Sequence, residues 1–351
     1  MAYGIKAFRR IQISNVEGTP YTAEAATEIL FGEVTIHSSD RVFHTPDQDR
    51  NTLAKIVELP FQTAKDVELE FTGSLYDRLM VFICSNSIRG NVTPTNGGGS
   101  IPLQETWVFE PSLTGTLNTP DETNGIDTFT MEYGDNTQEN EMAGMVTTKW
   151  EIEGEMGAEE DAIITVTWNF FGKEVVDSTF TAALTEAVAR YFPSNVAKFY
   201  IDAAYGDIGD TQKLGVLKAF KYTFETMFTK RWAADGTYYF SGINEDKKAP
   251  ELELTYWRES TFYAAELAKF RASPKTIFFP RIELVSNVEI DSGQANYPKI
   301  LLDGAFIYTE WPELDEEDGT SMVTVKAMGV QDPTSAKMMT VTVITAMDGF
   351  A

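Results

Sequence analysis

The chain has 351 residues, more than one hydrophobic core usually organises, and its composition of 43% hydrophobic and 12% aromatic residues excludes a disordered chain. With 28 basic against 53 acidic residues, the formal net charge is −25, which excludes binding of nucleic acid through a basic footprint. A lone cysteine, Cys84, excludes an intrachain disulfide scaffold, and two histidines, His37 and His44, leave no Cys/His zinc set.

Taken in chain order, Met1 to Lys6 lead into no apolar run of signal-peptide length, and no stretch approaches the roughly 18 apolar residues of a membrane span. The expectation is a soluble protein made in a cytoplasm. Alternation of apolar and polar residues predicts strands at Val67–Phe71, Trp107–Phe109, Phe129–Tyr133, Trp150–Glu153 and Ile164–Trp168. The second half repeats the pattern at Ala219–Phe224, Leu252–Tyr256, Ile300–Leu302 and Met339–Val343. Such alternation implies antiparallel sheets with one buried face. Cys84 falls in the apolar run Val81–Phe82–Ile83, which predicts a buried, inert thiol.

Two segments follow a helical period instead. Leu75, Leu79 and Phe82 share one face after Ser74, with Ser74 and Asp77 spaced as a capping box. Tyr263, Leu267 and Phe270 do the same after Ser260, with Pro274 as the stop, and a short helix is expected at Leu184–Arg190.

One helix in each β-rich half predicts an internal repeat. Gly32 matches Gly215, and Glu68–Glu70 matches Glu251–Glu253, at a shared offset. Further colinear matches are Leu75, Leu79 and Phe82 to Tyr263, Leu267 and Phe270, and Thr106–Phe109 to Thr276–Phe279. Met156-Gly157 to Met328-Gly329 and Thr165–Thr167 to Thr340–Thr342 complete the series. The expected domains are 1–190 and 195–351, joined near Phe192–Asn195.

No phosphate loop, nucleophile elbow or metal-binding helix motif is present, and Gly97–Gly99 lies in a polar loop. The contiguous acids of Glu159–Asp161 and Glu313–Asp318 point in alternating directions, the second run lacks the alternating ligand spacing of a calcium loop, and both read as solvated hairpin loops. The expectation is therefore no enzyme, with no catalytic, cofactor or metal residues.

Trp107–Thr114, Asn118–Asp121, Asp127–Asn136, Phe170–Lys173 and Thr179–Thr185 together resemble the tail tube (major tail) proteins of long, non-contractile-tailed bacteriophages. Ala197–Asp202, Ile208–Gln212 and Ala234–Thr237 resemble parts of a second such domain. The resemblance covers residues from about 60 to 260. It implies a mainly β fold of two tandem β-sandwich or half-barrel tail-tube domains, each with one flanking α-helix. It also implies stacked rings in a virion tail, in contact with tape-measure and tail terminator or tip proteins, with DNA passing through unbound. Two domains per chain suggest homotrimeric, pseudo-sixfold rings, and the acidic charge suits a wall that repels phosphates.

The excursions Phe43–Asn51 and Phe228–Gly236 are the candidate contacts between rings, through His44, Asp47, Asp49, Arg50, Lys230, Arg231 and Trp232. The alternative is a monomeric glycan- or surface-binding β-sandwich module in which Trp232 and Trp257 stack on sugars. A carboxylate-pair hydrolase is the third reading.

Overall fold

The computed structural model describes residues 9–36, 42–44, 61–98, 103–120, 122, 125–157, 162–312, 315–317 and 320–350. The fold is mainly β. All nine strands expected from alternation form, with Ile164 just outside the strand Thr165–Gly172, and both expected long helices form, as α1 (Asp77–Ser85) and α2 (Ser260–Arg271).

Eight strands make a continuous antiparallel ribbon out of two quartets. The first runs Glu33–Ile36, Val67–Ser74, Thr165–Gly172 and then the second part of the long strand Glu139–Glu155. The second runs Leu217–Glu225, Pro250–Trp257, Thr320–Gly329 and Phe306–Glu310. The quartets join head to tail, with Lys149–Glu155 paired to Ala219–Glu225 without a register shift. Each quartet carries a bulge at the same place: Thr147/Lys149 against Thr165–Gly172, and Tyr308/Glu310 against Thr320–Gly329.

The long strand changes sheets at Gly144, whose φ of +68 only glycine adopts freely and whose missing Cβ leaves room for the Tyr21 ring. Before that bend, Glu139–Ala143 lies between Phe129–Gly134 and Glu174–Asp177, and Phe129–Gly134 pairs in turn with Arg10–Val16. In the second half Lys299–Gly304 lies between Phe279–Val285 and Met339–Thr345, and Phe279–Val285 pairs with Lys198–Asp202. The same order of pairings thus recurs in each half.

This order corrects four of the sequence matches. Phe279–Val285 holds the place of Phe129–Gly134, not of Thr106–Phe109; the strand Glu105–Phe109 is instead hydrogen-bonded to Met339–Thr345. Thr167 corresponds to Thr324, since they pair with Thr72 and Thr255, so Thr165–Thr167 does not match Thr340–Thr342. Gly329 corresponds to Gly172, and Val34 opposite Phe71 corresponds to Phe220 opposite Leu254, which breaks the Met-Gly and Gly32–Gly215 matches. Alternating strands look alike in composition, and only the ladder tells which partner each has taken.

One core holds most of the buried apolar side chains of both halves, including Phe71, Trp107, Trp150, Trp168, Tyr222, Tyr256 and Tyr308. The apolar face of α1 lies within it, and Cys84 is buried, which pushes its thiol up. The Ser74–Asp77 capping box does not form. Ser74 ends a strand, Tyr76 is the N-cap without a side-chain cap, and Asp77 turns inward to accept from Thr345 Oγ1 at 2.7 Å, with Arg190 at 3.5 Å. The real cap is on α2, where Glu259 accepts from the amides of Thr261 and Phe262 at 3.1 and 2.6 Å. No helix forms at Leu184–Arg190. Ala183 sits at φ +62, and the Arg190 guanidinium and backbone are drawn to Asp77 and to the Glu289 carbonyl.

Candidate functional site: an acidic sheet face with two open edges

Alternation sends one set of side chains from the eight-stranded ribbon into the core and leaves the other set on an open face. Trp150, Ile152, Phe220, Tyr222, Leu252, Leu254, Val323 and Val325 point inward and are buried. Their neighbours point outward. The charged ones on this face are Glu33, Glu68, Glu70, Glu151, Glu153, Glu155, Glu225, Glu251, Glu253 and Glu310, against Lys149, Lys221 and Lys326. Lys218 and Lys230 also reach in from beside the ribbon, to Glu155 at 3.1 Å and Glu68 at 2.9 Å, so ten carboxylates against five ammonium groups leave the face at −5 per chain.

The charges are ordered in cross-strand rows. Glu153 lies opposite Lys221, Lys221 opposite Glu253, Glu253 opposite Lys326 and Lys326 opposite Glu310, so one row alternates in sign across five strands and ends on a carboxylate at each side. Opposite charges facing across a ladder stabilise it, and adjacent like charges are avoided. Lys221 reaches Glu151 at 2.8 Å and Glu153 at 3.8 Å, Lys149 reaches Glu151 at 2.5 Å, and Lys326 reaches Glu310 at 3.2 Å. Partial burial works against ionisation of Glu151, but hydrogen bonds from Lys149 and Lys221 outweigh it and hold the carboxyl below its usual range. The hydrogen bond to Glu151 in turn raises the Lys221 ammonium. The lysines are thus engaged by carboxylates, while Glu153, Glu155, Glu225, Glu251 and Glu310 remain exposed.

Shallow depressions of about 440 and 380 Å³ lie on this face, both lined by Lys221 and Glu253. Such a surface has few donors to offer a phosphate and many acceptors to repel one. Among the described residues, no three His, Cys, Asp or Glu side chains gather as a metal site, and no helix is long and apolar enough to cross a membrane.

The ribbon ends in two open edges. At one, Glu33–Ile36 pairs, among the described residues, with Val67–Ser74, and Ile36 is 57% exposed. At the other, Phe306–Glu310 pairs with Thr320–Gly329 and meets Phe278 only at its first residue. Edge strands of this kind are templates for strand addition.

Of the residues singled out in the sequence, His44 is exposed in the strand Val42–His44, which forms a hairpin with Phe61–Ala64. Asp47, Asp49 and Arg50 lie outside the described residues. So do Glu159–Asp161, Glu313 and Asp318, whereas Asp315–Glu317 forms a hairpin strand against Thr320–Met322. The second excursion is itself a hairpin, Phe228–Arg231 with Gly242–Glu245. Lys230 bridges Asp66 and Glu68 and lies 4.9 Å from the Phe171 ring centre, so it ties this hairpin to the first half of the chain. Arg231 lies alongside Gly242, with its own carbonyl accepting from Ser241 at 2.8 Å. Trp232 is 46% exposed and edge-on to Phe240, and Trp257 is half-buried under Lys218. Sequence reasoning missed the charge ladder: Glu153, Lys221 and Glu253 sat in predicted strands, but the strands that carry Lys326 and Glu310 were not among those predicted. Alternation gave each strand its polar face, but register alone puts Glu153, Lys221, Glu253 and Lys326 in one row.

No protein-family description matches the chain, and no curated protein matches it significantly.

Proposed function

We propose that this chain is a structural subunit of a bacteriophage tail tube, a duplicated two-domain protein whose rings stack into a conduit for DNA. The observation that carries the reading is the head-to-tail junction between Lys149–Glu155 and Ala219–Glu225. The strands left at the two open edges, Phe306–Glu310 and Glu33–Ile36, are the counterparts of these two junction strands. A second copy can therefore add to each edge by the pairing the chain already makes within itself. A heterologous contact of this kind either closes into a ring or runs on as a filament. Three copies of eight strands would close a 24-stranded barrel, with the acidic face lining its bore and repelling DNA. Tape-measure and terminator or tip proteins are the partners this role implies.

The test is negative-stain electron microscopy with mass measurement across a concentration series. Rings of about 118 kDa, three times 39.2 kDa, with a central bore are expected. Rings of six full chains would sink the trimer. Monomers at every concentration would overturn the assembly reading and favour a carbohydrate-binding module, to which exposed Trp232 and Tyr238 would offer aromatic faces.

The bore makes its own prediction. Glu153, Glu225, Glu251, Glu253 and Glu310 are changed together to lysine, which takes the face from −5 to +5 per chain. The unmodified protein should not retain duplex DNA at low salt. The variant should bind it, with affinity falling about tenfold or more between 50 and 200 mM salt. Equal retention by the two proteins in fluorescence anisotropy would remove this face as the DNA-repelling surface.

A further inference from the structure

We propose that the hairpin Val42–His44/Phe61–Ala64 docks onto a second copy of this chain, against Met328 and Gly329 at the end of the strand Thr320–Gly329. The inference rests on the ring reading and adds to it a side-chain contact beyond the paired strands.

Each quartet carries one hairpin between its first two strands: Val42–Ala64 in the first and Phe228–Glu245 in the second. Their surroundings differ. Phe228, Phe240 and Ile243 of the second hairpin are 4%, 2% and 6% exposed, because they pack with Val146 and Phe171 of the preceding quartet in a small core of their own. The Phe171 and Phe240 rings stand edge-on at 5.5 Å, and Tyr239 at the tip hydrogen-bonds to Glu174 and Lys65. The second hairpin is thus held by the quartet before it.

Among the described residues, no such quartet packs against the first hairpin, and its Val42 and Phe43 are 42% and 55% exposed. Register identifies where the corresponding support lies. Phe171 pairs with Val146 and Glu68; Met328 pairs with Ile307 and Glu251. Met328 and Gly329 therefore stand in the second quartet where Phe171 and Gly172 stand in the first.

Phe171 is buried under a hairpin, whereas Met328 is 40% exposed. Just beyond it, where the second hairpin's tip lies in the first quartet, is an open cleft of about 680 Å³. Its walls combine Leu117, Val330 and buried Met338 with polar side chains such as Thr114, Lys247 and Gln331, and Leu117 is 50% exposed. A hairpin that exposes Val42 and Phe43 and a mixed seat that exposes Met328 and Leu117 thus stand at equivalent places on opposite ends of one chain. They are separated by six strand steps, about 29 Å at the usual strand spacing. The occupant is a second copy, placed by the same head-to-tail relation that joins the two quartets.

The test uses the full chain with Phe43→Asp and, separately, Met328→Asp. Both sites are exposed, so circular dichroism should match the unmodified protein. Each variant alone should need at least tenfold more protein to assemble by mass photometry. An equimolar mixture retains one intact hairpin and one intact seat per pair, and should give dimers while failing to close rings. The double variant Phe43→Cys/Met328→Cys should form disulfide-linked dimers and trimers on mild oxidation, with buried Cys84 remaining inert. Rings that form unchanged from both aspartate variants, or without any cross-link in the cysteine variant, overturn this contact and leave the ring reading standing. A monomeric unmodified chain at every concentration overturns both.

Discussion

Trp107→Ala is expected to lower the stability of the whole chain by about 3–5 kcal/mol, the usual cost of truncating a fully buried tryptophan, and to do so in one unfolding transition. Trp107 is 1% exposed. It belongs to a strand of the first half that is hydrogen-bonded to Met339–Thr345 of the second. Its indole Nε1 donates to the Met347 carbonyl at 2.8 Å, and its ring meets Phe350 at 5.4 Å. Phe350 also lies 5.3 Å from Phe82 on α1 and 5.3 Å from Phe129. Removing the indole opens a cavity and strands a buried carbonyl at a place where strands of both halves meet. Chemical denaturation should show the midpoint falling with the slope unchanged. Trp107→Ala combined with Phe350→Ala should cost less than the two separate losses together, because the rings touch. Two resolved transitions, with only one moved by Trp107→Ala, would show that the halves unfold independently.

The same strand shows where the sequence was legible and where it was not. Period-2 patterning identified Trp107–Phe109 as a strand because one face is buried, and that reason is local. Its partner, Met339–Thr345, lies more than 200 residues on, and no local signal carries it. Asp77 misled for a related reason. A serine three residues before an acid is the pattern of a cap, but burial beside Thr345 and Arg190 gave the carboxylate distant partners instead. Asn86, unremarked in the sequence, donates to the carbonyls of Asp127 and Met145 at 2.6 and 2.7 Å, and accepts from Thr147 Oγ1 at 2.6 Å, which in turn accepts from Trp168 Nε1 at 2.7 Å. Nothing in its neighbours announced that role. On the acidic face, Glu151, Glu153, Lys221, Glu251 and Glu253 lie in or beside strands read from the sequence, whereas the strands of Lys326 and Glu310 were not read, and the alternating row is a product of register. The repeat was legible as an order of elements and misaligned in its details, since loops of unequal length separate strands of similar composition.

Proline at the open edge should separate assembly from folding. Val34 and Thr35 lie opposite Phe71 and Glu70 in the first quartet, as Phe220 and Lys221 lie opposite Leu254 and Glu253 in the second. Within the chain, Phe220 and Lys221 are also paired across the junction, with Gly154 and Glu153. Among the described residues, no strand pairs with Val34 and Thr35 on the corresponding outer side. In an antiparallel strand, successive residues send their N–H groups to opposite sides. One of the two therefore donates toward Val67–Ser74 and the other toward the open edge. Proline at the inward position removes a ladder bond of the monomer and should lower its melting temperature. Proline at the outward position removes a donor the monomer does not use, and places a ring in the path of an incoming strand. That variant should melt as the unmodified chain does, yet need about a hundredfold more protein to form rings. At 1.4 kcal/mol per tenfold, this corresponds to roughly 3 kcal/mol at the junction, applied at every joint of a closed ring because each uses the same edge. If Val34→Pro and Thr35→Pro both assembled at the unmodified concentration, Glu33–Ile36 would not be the joining edge. The contrast between the two neighbouring positions makes the measurement decisive, because a general loss of stability would affect folding and assembly together.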